Sequence, residues 1–342
     1  MEFVSAPDSF AKLREQHNRR SEGHEVAFPY YFEDLQETLG GIPPGCVRQL
    51  AGLPGSRKST YAAVEAQRAA KAGHSVRYIS VELTPEEVTA RLVASEAKVP
   101  PAAWVLGMPI DSDSEKRAAD AANSCGDLAI ARAQNVLFED LEATFSELES
   151  TARKEEVFRT PGVYIDFIQA LTIGDNGRLG LQERVASSIY QLQELAATYQ
   201  VALTVVSSVA RGKYDALTLS DANEKHGPQQ FLGESPERLL LGGSDFLAAG
   251  KQSGDLEYAL TASMALLRVQ TERPELQGFV VEVLAKARYA RTDGLRWFGR
   301  CFGADGLRML DEEEYGHLDE WLTGAPTLTV EMGTDTPEFV KF

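Results

Sequence analysis

Residues 45–92 read GCVRQLAGLPGSRKSTYAAVEAQRAAKAGHSVRYISVELTPEEVTARL, and this stretch decides the fold. An apolar strand at residues 47–51 leads through a glycine-containing loop into an alanine-rich helical stretch at residues 60–72. A second apolar strand, residues 75–81, follows and delivers Glu82 at its end. Strand, loop, helix and strand in this order predict a βαβ unit, in which the two strands run parallel.

The loop at residues 52–60 has the composition of a phosphate-binding loop. Backbone N–H groups in such a loop point at phosphate oxygens, and the following helix adds its positive N-terminal end. Lys58 would reach the β- and γ-phosphates, and the hydroxyl of Ser59 would ligate Mg²⁺. The sequence therefore predicts a nucleotide-hydrolysing site that uses ATP and Mg²⁺. Its nucleotide-binding residues are Gly52, Pro54, Gly55, Ser56, Arg57, Lys58, Ser59 and Thr60.

Arg57 departs from the usual pattern, which has glycine directly before the lysine. Two interpretations stay open. In a working site, the guanidinium points outward or adds a phosphate contact. In a degenerate site, nucleotide binds weakly or is never hydrolysed. The remaining parts of a hydrolytic site occur downstream, and they favour the working site.

Acidic and polar residues follow three predicted strands. Glu82 follows the second strand, where ligands gather in open α/β sheets, and its carboxylate would orient and deprotonate the attacking water. Asp166 ends the apolar strand at 162–166 and would bind Mg²⁺ together with Ser59, directly or through water. Ser208 follows the strand at 202–207, where a polar residue can sense the γ-phosphate. Each acid alone is typical of a surface or turn position, but the preceding phosphate loop favours catalysis.

Composition and charge set limits on the class of protein. The chain has 342 residues and a net charge of −17, and it contains no apolar run of the ~20 residues that span a bilayer. No signal segment opens the sequence, so we expect a cytoplasmic protein without membrane association. Cys46, Cys125 and Cys301 lie far apart, which predicts neither a disulfide framework nor a zinc site.

Three regions are predicted along the chain. Residues 1–40 form an arm whose polar helical stretch, residues 9–20, is either a docking helix or a solvated arm. Residues 41–310 form an α/β domain, with a mainly parallel twisted sheet, helices on both faces and antiparallel strands at its C-terminal end. Residues 311–342 form an acidic tail, with nine acids against Lys341, that either keeps the protein soluble or docks on a protein partner. The predicted strands are 47–51, 75–81, 135–138, 162–166, 202–207, 265–271, 279–285 and 295–302.

Five motifs in one order resemble the RecA-fold ATPase domain of DnaB-family replicative helicases, over about residues 34–310. They are FEDLQETLGGIPPG at 32–45, SVELTPEEVTARLVASEAKVP at 80–100, YIDFIQAL at 164–171, FLGESPERLLLGGSDF at 231–246 and LAKARYARTDG at 284–294. The resemblance implies a RecA-like P-loop NTPase core and a homo-oligomeric ring, usually of six subunits, with ATP held between neighbours.

The resemblance also implies roles for residues outside the phosphate loop. Lys286 and Arg288 would reach across the subunit interface to the γ-phosphate of the neighbour; the alternative is a basic pair on an exposed strand edge. A loop facing the central channel would grip single-stranded DNA, although nearby acids reduce its positive charge. Its candidate contacts are Arg211, Lys213, Lys225 and His226.

Two residues depart from this family: Arg57, and Ser208 where the family generally has glutamine. Some RecA-fold phage recombinases also have a bulky residue before the lysine, which favours an active loop. We therefore expect an ATP-dependent, ring-forming DnaB-like helicase or translocase that acts on single-stranded DNA in replication or repair. Two alternatives remain: a RecA-like recombinase or annealing protein that forms filaments, and an accessory regulatory ATPase that acts on a protein partner.

Overall fold

A computed structural model describes residues 3–174, 178–209, 218–220, 260–271, 273–276, 278–289, 296–301, 307–310 and 312–323. The helices in these ranges are α1 (Ala6–Ser21), α2 (Glu33–Leu39), α3 (Lys58–Lys71), α4 (Pro85–Ala97), α5 (Pro101–Val105), α6 (Ser112–Asn123), α7 (Phe138–Ala152), α8 (Leu181–Tyr199) and α9 (Glu312–Thr323). The strands are β1 (Glu25–Val26), β2 (Val47–Gly52), β3 (Val76–Ser80), β4 (Leu128–Arg132), β5 (Asn135–Val136), β6 (Phe158–Arg159), β7 (Gly162–Asp166), β8 (Thr172–Ile173), β9 (Ala202–Ser208), β10 (Thr218–Ser220), β11 (Ala262–Gln270), β12 (Phe279–Ala287), β13 (Arg296–Cys301) and β14 (Leu307–Met309).

The central sheet has the strand order β14-β13-β12-β11-β2-β9-β7-β3-β4, and β10 pairs with the end of β11. Every pair from β4 to β11 is parallel, whereas β11 to β14 form antiparallel pairs. This arrangement confirms the predicted α/β class with antiparallel C-terminal strands. The parallel strands end at one common edge, because Gly52 pairs with Ser208 and Asp166 pairs with both Ser80 and Val206.

Helices cover both faces of the sheet. Helix α3 buries five alanines among its nine buried residues, and these small side chains let it lie close against the strands. Helices α7 and α8 cover the opposite face, where Phe145, Ile189 and Leu192 pack against the strands. Every residue of β2 is buried, as expected for a central strand covered on both sides. The phosphate loop therefore follows a fully buried strand of the sheet.

Local sequence explains where the helices next to this edge begin. Thr84 and Glu87 form a reciprocal capping box at the start of α4: the Thr84 N–H donates to Glu87 Oε2 at 2.8 Å, and the Glu87 N–H donates to Thr84 Oγ1 at 3.2 Å. Pro85 occupies the first turn, where its missing N–H costs no hydrogen bond. This cap fixes the chain immediately after Glu82.

Two predictions about the elements are wrong. The predicted strand at 135–138 is only the two-residue β5, which pairs with β8 outside the central sheet. The edge position belongs to β4, a five-residue strand in which Leu128 and Ile130 are partly buried and the other side chains are exposed. The other error concerns the acidic tail: its first part forms α9, in which Leu318 and Trp321 are buried against Leu53 and its neighbours. Residues 312–323 are therefore not a solvated tail.

Within the part of the chain that the structure describes, no helix is both long enough and apolar enough to cross a membrane.

Candidate active site

The phosphate loop begins where β2 comes too close to its neighbours for any side chain. A Cβ atom at Gly52 would overlap Ser56 Oγ and would lie 2.9 Å from the carbonyl oxygen of Leu266 on β11. Gly55 adopts a φ of 81°, in the left-handed region that glycine enters without steric cost. These two glycines let the chain fold back tightly before α3.

The N-terminus of α3 is open towards this loop. Arg57 is the N-cap residue, and its side chain makes no capping hydrogen bond. The N–H groups in the first turn of α3 therefore remain available to donate to another acceptor. Ser56 is buried, and its hydroxyl has no hydrogen-bond partner. An uncapped helix end and an orphaned buried hydroxyl in one loop fit a phosphate group.

Lys58 is partly buried at the start of α3, and its Nζ donates to the carbonyl oxygen of Leu53 at 2.7 Å. Burial lowers the pKa of Lys58 to about 8, while the carboxylates of Asp166 and Glu82 act in the opposite direction. The ammonium group thus sits within the electrostatic reach of both predicted catalytic acids. The structure brings these three residues together at one edge of the sheet.

Arg57 adopts the conformation that glycine has in the usual loop pattern. Its φ of 69° and ψ of 19° lie in the left-handed region, which disfavours a residue with a Cβ by about 1–2 kcal/mol. The side chain is exposed, and it lines a polar hollow with Gly55 and Ser56 at the start of β12. The working and the degenerate interpretations of Arg57 both stay predictions.

Asp166 is buried at the end of β7, where Tyr78 holds one of its carboxylate oxygens. The Tyr78 hydroxyl donates to Asp166 Oδ2 at 2.7 Å and lies 3.5 Å from the carbonyl oxygen of Ser59. The predicted metal ligands Ser59 and Asp166 therefore lie on either side of one buried phenol. Among the described residues, no three His, Cys, Asp or Glu side chains cluster as a metal site. A single carboxylate with a hydroxyl fits Mg²⁺ that keeps waters and phosphate oxygens as its other ligands.

Glu82 lies two residues beyond the end of β3 and is exposed. The chain on either side of it is fixed: the Val81 N–H donates to the carbonyl oxygen of Asp166 at 2.7 Å, and the Leu83 N–H donates to Ser80 Oγ at 2.9 Å. An exposed carboxylate on a fixed backbone can accept a proton from a water molecule beside the phosphate loop.

Gln169 connects β7 to the end of β9. Its Nε2 donates to the carbonyl oxygen of Ser208 at 3.1 Å, and the Ser208 N–H donates to its Oε1 at 3.2 Å. Gln169 thereby pairs with the backbone of Ser208, and the Ser208 side chain is not needed for this contact. The sequence predicts a γ-phosphate sensor at Ser208 and gives no indication of this Gln169 bridge.

Beneath α3, a buried ion pair joins the helix to β2. Arg48 and Glu65 are both fully buried, and Arg48 Nη1 donates to Glu65 Oε1 at 2.8 Å. The hydroxyl of Tyr164 donates to Glu65 Oε2 at 2.8 Å. Nearby, the Tyr61 hydroxyl contacts Glu282 Oε2 at 2.7 Å, and burial raises the pKa of Glu282 to about 8. These polar contacts tie the helix of the phosphate loop to β2, β7 and β12.

Lys286 is the second-last residue of β12 and Arg288 follows the strand, so both lie towards the end of β12 that is away from the phosphate loop. Lys286 pairs with Ser263 on β11, three residues before Leu266, which pairs with Gly52. Three residues of strand correspond to about 10 Å, and Arg288 follows still further along. Arg288 is exposed, and its N–H donates to the carbonyl oxygen of Thr261 at 2.9 Å. The structure therefore does not bring this pair to the phosphate loop of its own chain.

The predicted DNA contacts Arg211, Lys213, Lys225 and His226 lie outside the described residues, as does the motif at 231–246.

A family model described as the DnaB-like helicase C terminal domain matches residues 28–218, more than half of the chain. The chain belongs to the DnaB-like helicase C-terminal domain family. The match contains the phosphate loop, Glu82 and Asp166.

Individual relatives agree with this family. The replicative DNA helicase DnaB of Leifsonia xyli subsp. xyli (strain CTCB07) is 27% identical over 220 residues, which cover 62% of this chain and 46% of that protein. The chain thus matches about half the length of this DnaB relative. Among solved structures, the ATPase domain of G40P superposes with a TM-score of 0.68 at 15% identity, covering 91% of this chain and 100% of that domain. A DnaB-like replicative helicase, solved in a study of its interactions with primase, gives a TM-score of 0.67 at 15% identity and covers 91% of this chain and 68% of that chain. These structures show that the chain has the RecA fold of DnaB-like ATPase domains.

The sequence analysis does not identify two residues that lie next to the site in this DnaB-like fold. Tyr78 and Tyr164 pair across β3 and β7, and Asp166 follows Tyr164 by two residues, so all three share one face of the sheet. A polar-tipped aromatic two residues from a predicted metal ligand was the available clue.

Proposed function

We propose that this chain is the ATP-hydrolysing motor of a DnaB-like DNA helicase, which forms a ring and translocates on single-stranded DNA in replication or repair. The observation that supports this most is the meeting, at one sheet edge, of the open N-terminus of α3, the ammonium of Lys58 and the carboxylate of Asp166. Family membership gives that geometry its biological context.

The residues divide the work of hydrolysis as follows. Loop N–H groups and Lys58 bind and neutralise the phosphates of ATP, and Gly52 and Gly55 allow the backbone to approach them. Ser59 and Asp166 hold Mg²⁺, which supplies positive charge for the phosphate oxygens when it is bound. Glu82 orients the attacking water and takes its proton. The buried partners of α3 keep Lys58 and Ser59 in place during the reaction.

In the proposed ring, Lys286 and Arg288 complete the site of the neighbouring subunit. The two residues lie towards the end of β12 that is away from their own phosphate loop, so they are too distant to act on the nucleotide of their own chain. A head-to-tail ring brings one surface of each subunit against a different surface of the next. There, a guanidinium and an ammonium stabilise the charge that develops on the γ-phosphate.

Helix α1 provides a second contact for this assembly. None of its side chains is buried, and Phe10 and Leu13 are 63% and 61% exposed. An apolar groove between α4, α5 and α6 offers a matching surface, lined by Val93, Trp104 and Ala118 and with glutamates at its rim. Because α1 carries more basic than acidic residues, we propose that α1 of one copy docks in this groove of the next.

The first experiment measures ATP hydrolysis with and without single-stranded DNA. We expect DNA to stimulate hydrolysis, Lys58→Ala to abolish nucleotide binding, and Glu82→Gln to abolish hydrolysis while leaving nucleotide binding intact. Particle mass and shape with a non-hydrolysable ATP analogue are measured in parallel. Open helical polymers would favour the filament-forming recombinase, and nucleotide binding with neither hydrolysis nor DNA affinity at low salt would favour the accessory ATPase.

The second experiment tests whether the site is shared between subunits. Lys58→Ala and Arg288→Ala are each expected to be inactive alone, because each lacks one half of every cleft. Co-expressed in equal amounts, they restore about a quarter of the clefts in randomly mixed rings, since a complete cleft needs one intact half from each variant. A mixture as inactive as its components would show that Arg288 does not act across the interface.

The DNA contacts proposed at Arg211, Lys213, Lys225 and His226 stay predictions, and so does a protein partner for the acidic tail at residues 311–342.

A further inference from the structure

Tyr78 is a fully buried tyrosine whose hydroxyl points at the proposed metal site. Its ring stacks on that of Tyr164, with centroids 5.7 Å apart and planes 14° from parallel. The two residues are directly paired across the ladder of β3 and β7. Such a cross-strand aromatic pair holds both rings in one orientation.

The hydroxyl of Tyr78 has a clear acceptor in Asp166. It donates to Asp166 Oδ2 at 2.7 Å, the length of a strong O–H···O hydrogen bond to a carboxylate. One oxygen of Asp166 is thereby engaged, and Oδ1 is left for a metal ion or its water.

Tyr164 provides an internal comparison. It is as deeply buried as Tyr78 and belongs to the same stacked pair, but its hydroxyl donates to Glu65 Oε2 at 2.8 Å, beneath α3. The two tyrosines therefore differ in their acceptor much more than in their packing.

We propose that Tyr78 is a positioning residue for Mg²⁺, which fixes the Asp166 carboxylate in the orientation that binds the ion. This inference rests on the proposed function, since it assumes that Asp166 holds Mg²⁺ beside the nucleotide. Groups that hydrogen-bond a metal-binding carboxylate commonly alter metal affinity by about 10- to 100-fold when they are removed. A phenol-to-phenyl change removes this hydrogen bond and keeps the stacked ring.

The test compares Tyr78→Phe with Tyr164→Phe in the full-length chain. Binding of a non-hydrolysable ATP analogue is titrated over a range of Mg²⁺ concentrations and also without Mg²⁺. For Tyr78→Phe, we expect half-maximal binding to need at least about tenfold more Mg²⁺, with unchanged affinity for the Mg²⁺-free analogue. Tyr164→Phe is expected to lower the unfolding temperature without moving the Mg²⁺ midpoint, because its hydroxyl contacts Glu65.

Asp166→Asn separates failure of this inference from failure of the proposed function. If Asp166→Asn raises the Mg²⁺ concentration needed for half-maximal binding and Tyr78→Phe leaves it at the wild-type value, the positioning role is refuted and the proposed site stands. Equal shifts in Tyr78→Phe and Tyr164→Phe would also refute it, since the effect would then come from general loss of stability. If the wild-type protein binds the analogue without any Mg²⁺ dependence, the proposed metal site itself is refuted.

Discussion

Nucleotide affinity should fall as the pH rises above about 8, because Lys58 loses its charge there. Burial lowers the pKa of Lys58 in the free protein to about 8. Bound phosphates favour the ammonium form and raise this pKa, so binding above pH 8 requires uptake of a proton. If only the charged form binds, about nine-tenths of the protein is competent at pH 7 and about one-tenth at pH 9. The expected change in Kd is therefore roughly tenfold, or about 1.4 kcal/mol.

The assay is isothermal titration calorimetry with ADP and Mg²⁺ at constant ionic strength between about pH 7 and pH 9, where phosphate groups are already ionised. Repeating it in two buffers of different ionisation enthalpy counts the protons taken up, and we expect nearly one at about pH 9. Lys71→Ala is the matched control, because Lys71 lies at the other end of α3 in an exposed pair with Glu96 and should keep the wild-type dependence. A Kd that stays constant over this range, with no proton uptake, would refute the assignment of Lys58 as the phosphate-binding ammonium.

The other predictions concern stability, measured by chemical denaturation of the nucleotide-free protein. Arg57→Gly should raise the free energy of unfolding by about 0.5–1 kcal/mol, because relief of the strain of the left-handed backbone exceeds the added entropy of the unfolded chain. Arg57→Ala keeps this strain, so an equal rise in that variant would contradict the explanation. Wild-type stability should fall between about pH 5 and 8, by up to about 1.4 kcal/mol per unit, because folded Glu282 keeps a proton that the unfolded chain releases. Glu282→Gln should flatten this slope; an unchanged slope would mean that another group causes it. Glu65→Ala should lower the free energy of unfolding by about 3–5 kcal/mol, because it leaves the buried charge of Arg48 without a partner. Lys71→Ala, at the exposed pair, should lower it by less than about 1 kcal/mol, and similar losses in the two variants would show that burial of the pair is not decisive.

The phosphate loop and its flanking elements were predictable because their constraints are local. Gly52 has no room for a side chain, α3 starts directly at Lys58, and every residue of β2 is buried. Each requirement limits the residue type at one position, so a single sequence reveals it. The position of Asp166 at the end of β7 follows in the same way from the apolar run at residues 162–166, whereas its role in binding Mg²⁺ stays a prediction.

Elements whose burial depends on distant partners were not predictable. Strand β4 lies at an edge and spans only five residues, of which Leu128 and Ile130 are partly buried, and periodicity alone does not distinguish so short an apolar run from a helix segment. In α9, Leu318 and Trp321 lie three residues apart on one face, but the acidic composition around them suggested a solvated tail. The contact of Tyr78 with Asp166 depends on the register between β3 and β7, which only the folded sheet defines. The boundaries assigned to the arm, the ATPase domain and the tail stay predictions.

Strand β12 links two surfaces that face away from each other. Phe279 at its start borders the hollow beside Arg57, and Ala287 at its end lies next to Arg288. Its nine residues span about 27 Å, with β11 paired to it from Val280 to Ala287 and β13 paired to it from Phe279 to Val283. The first half of this strand can neither stretch nor slide without breaking two ladders at once. A displacement of the chain at Phe279 would therefore have to be shared by β11 and β13, the two strands bonded to this end of β12.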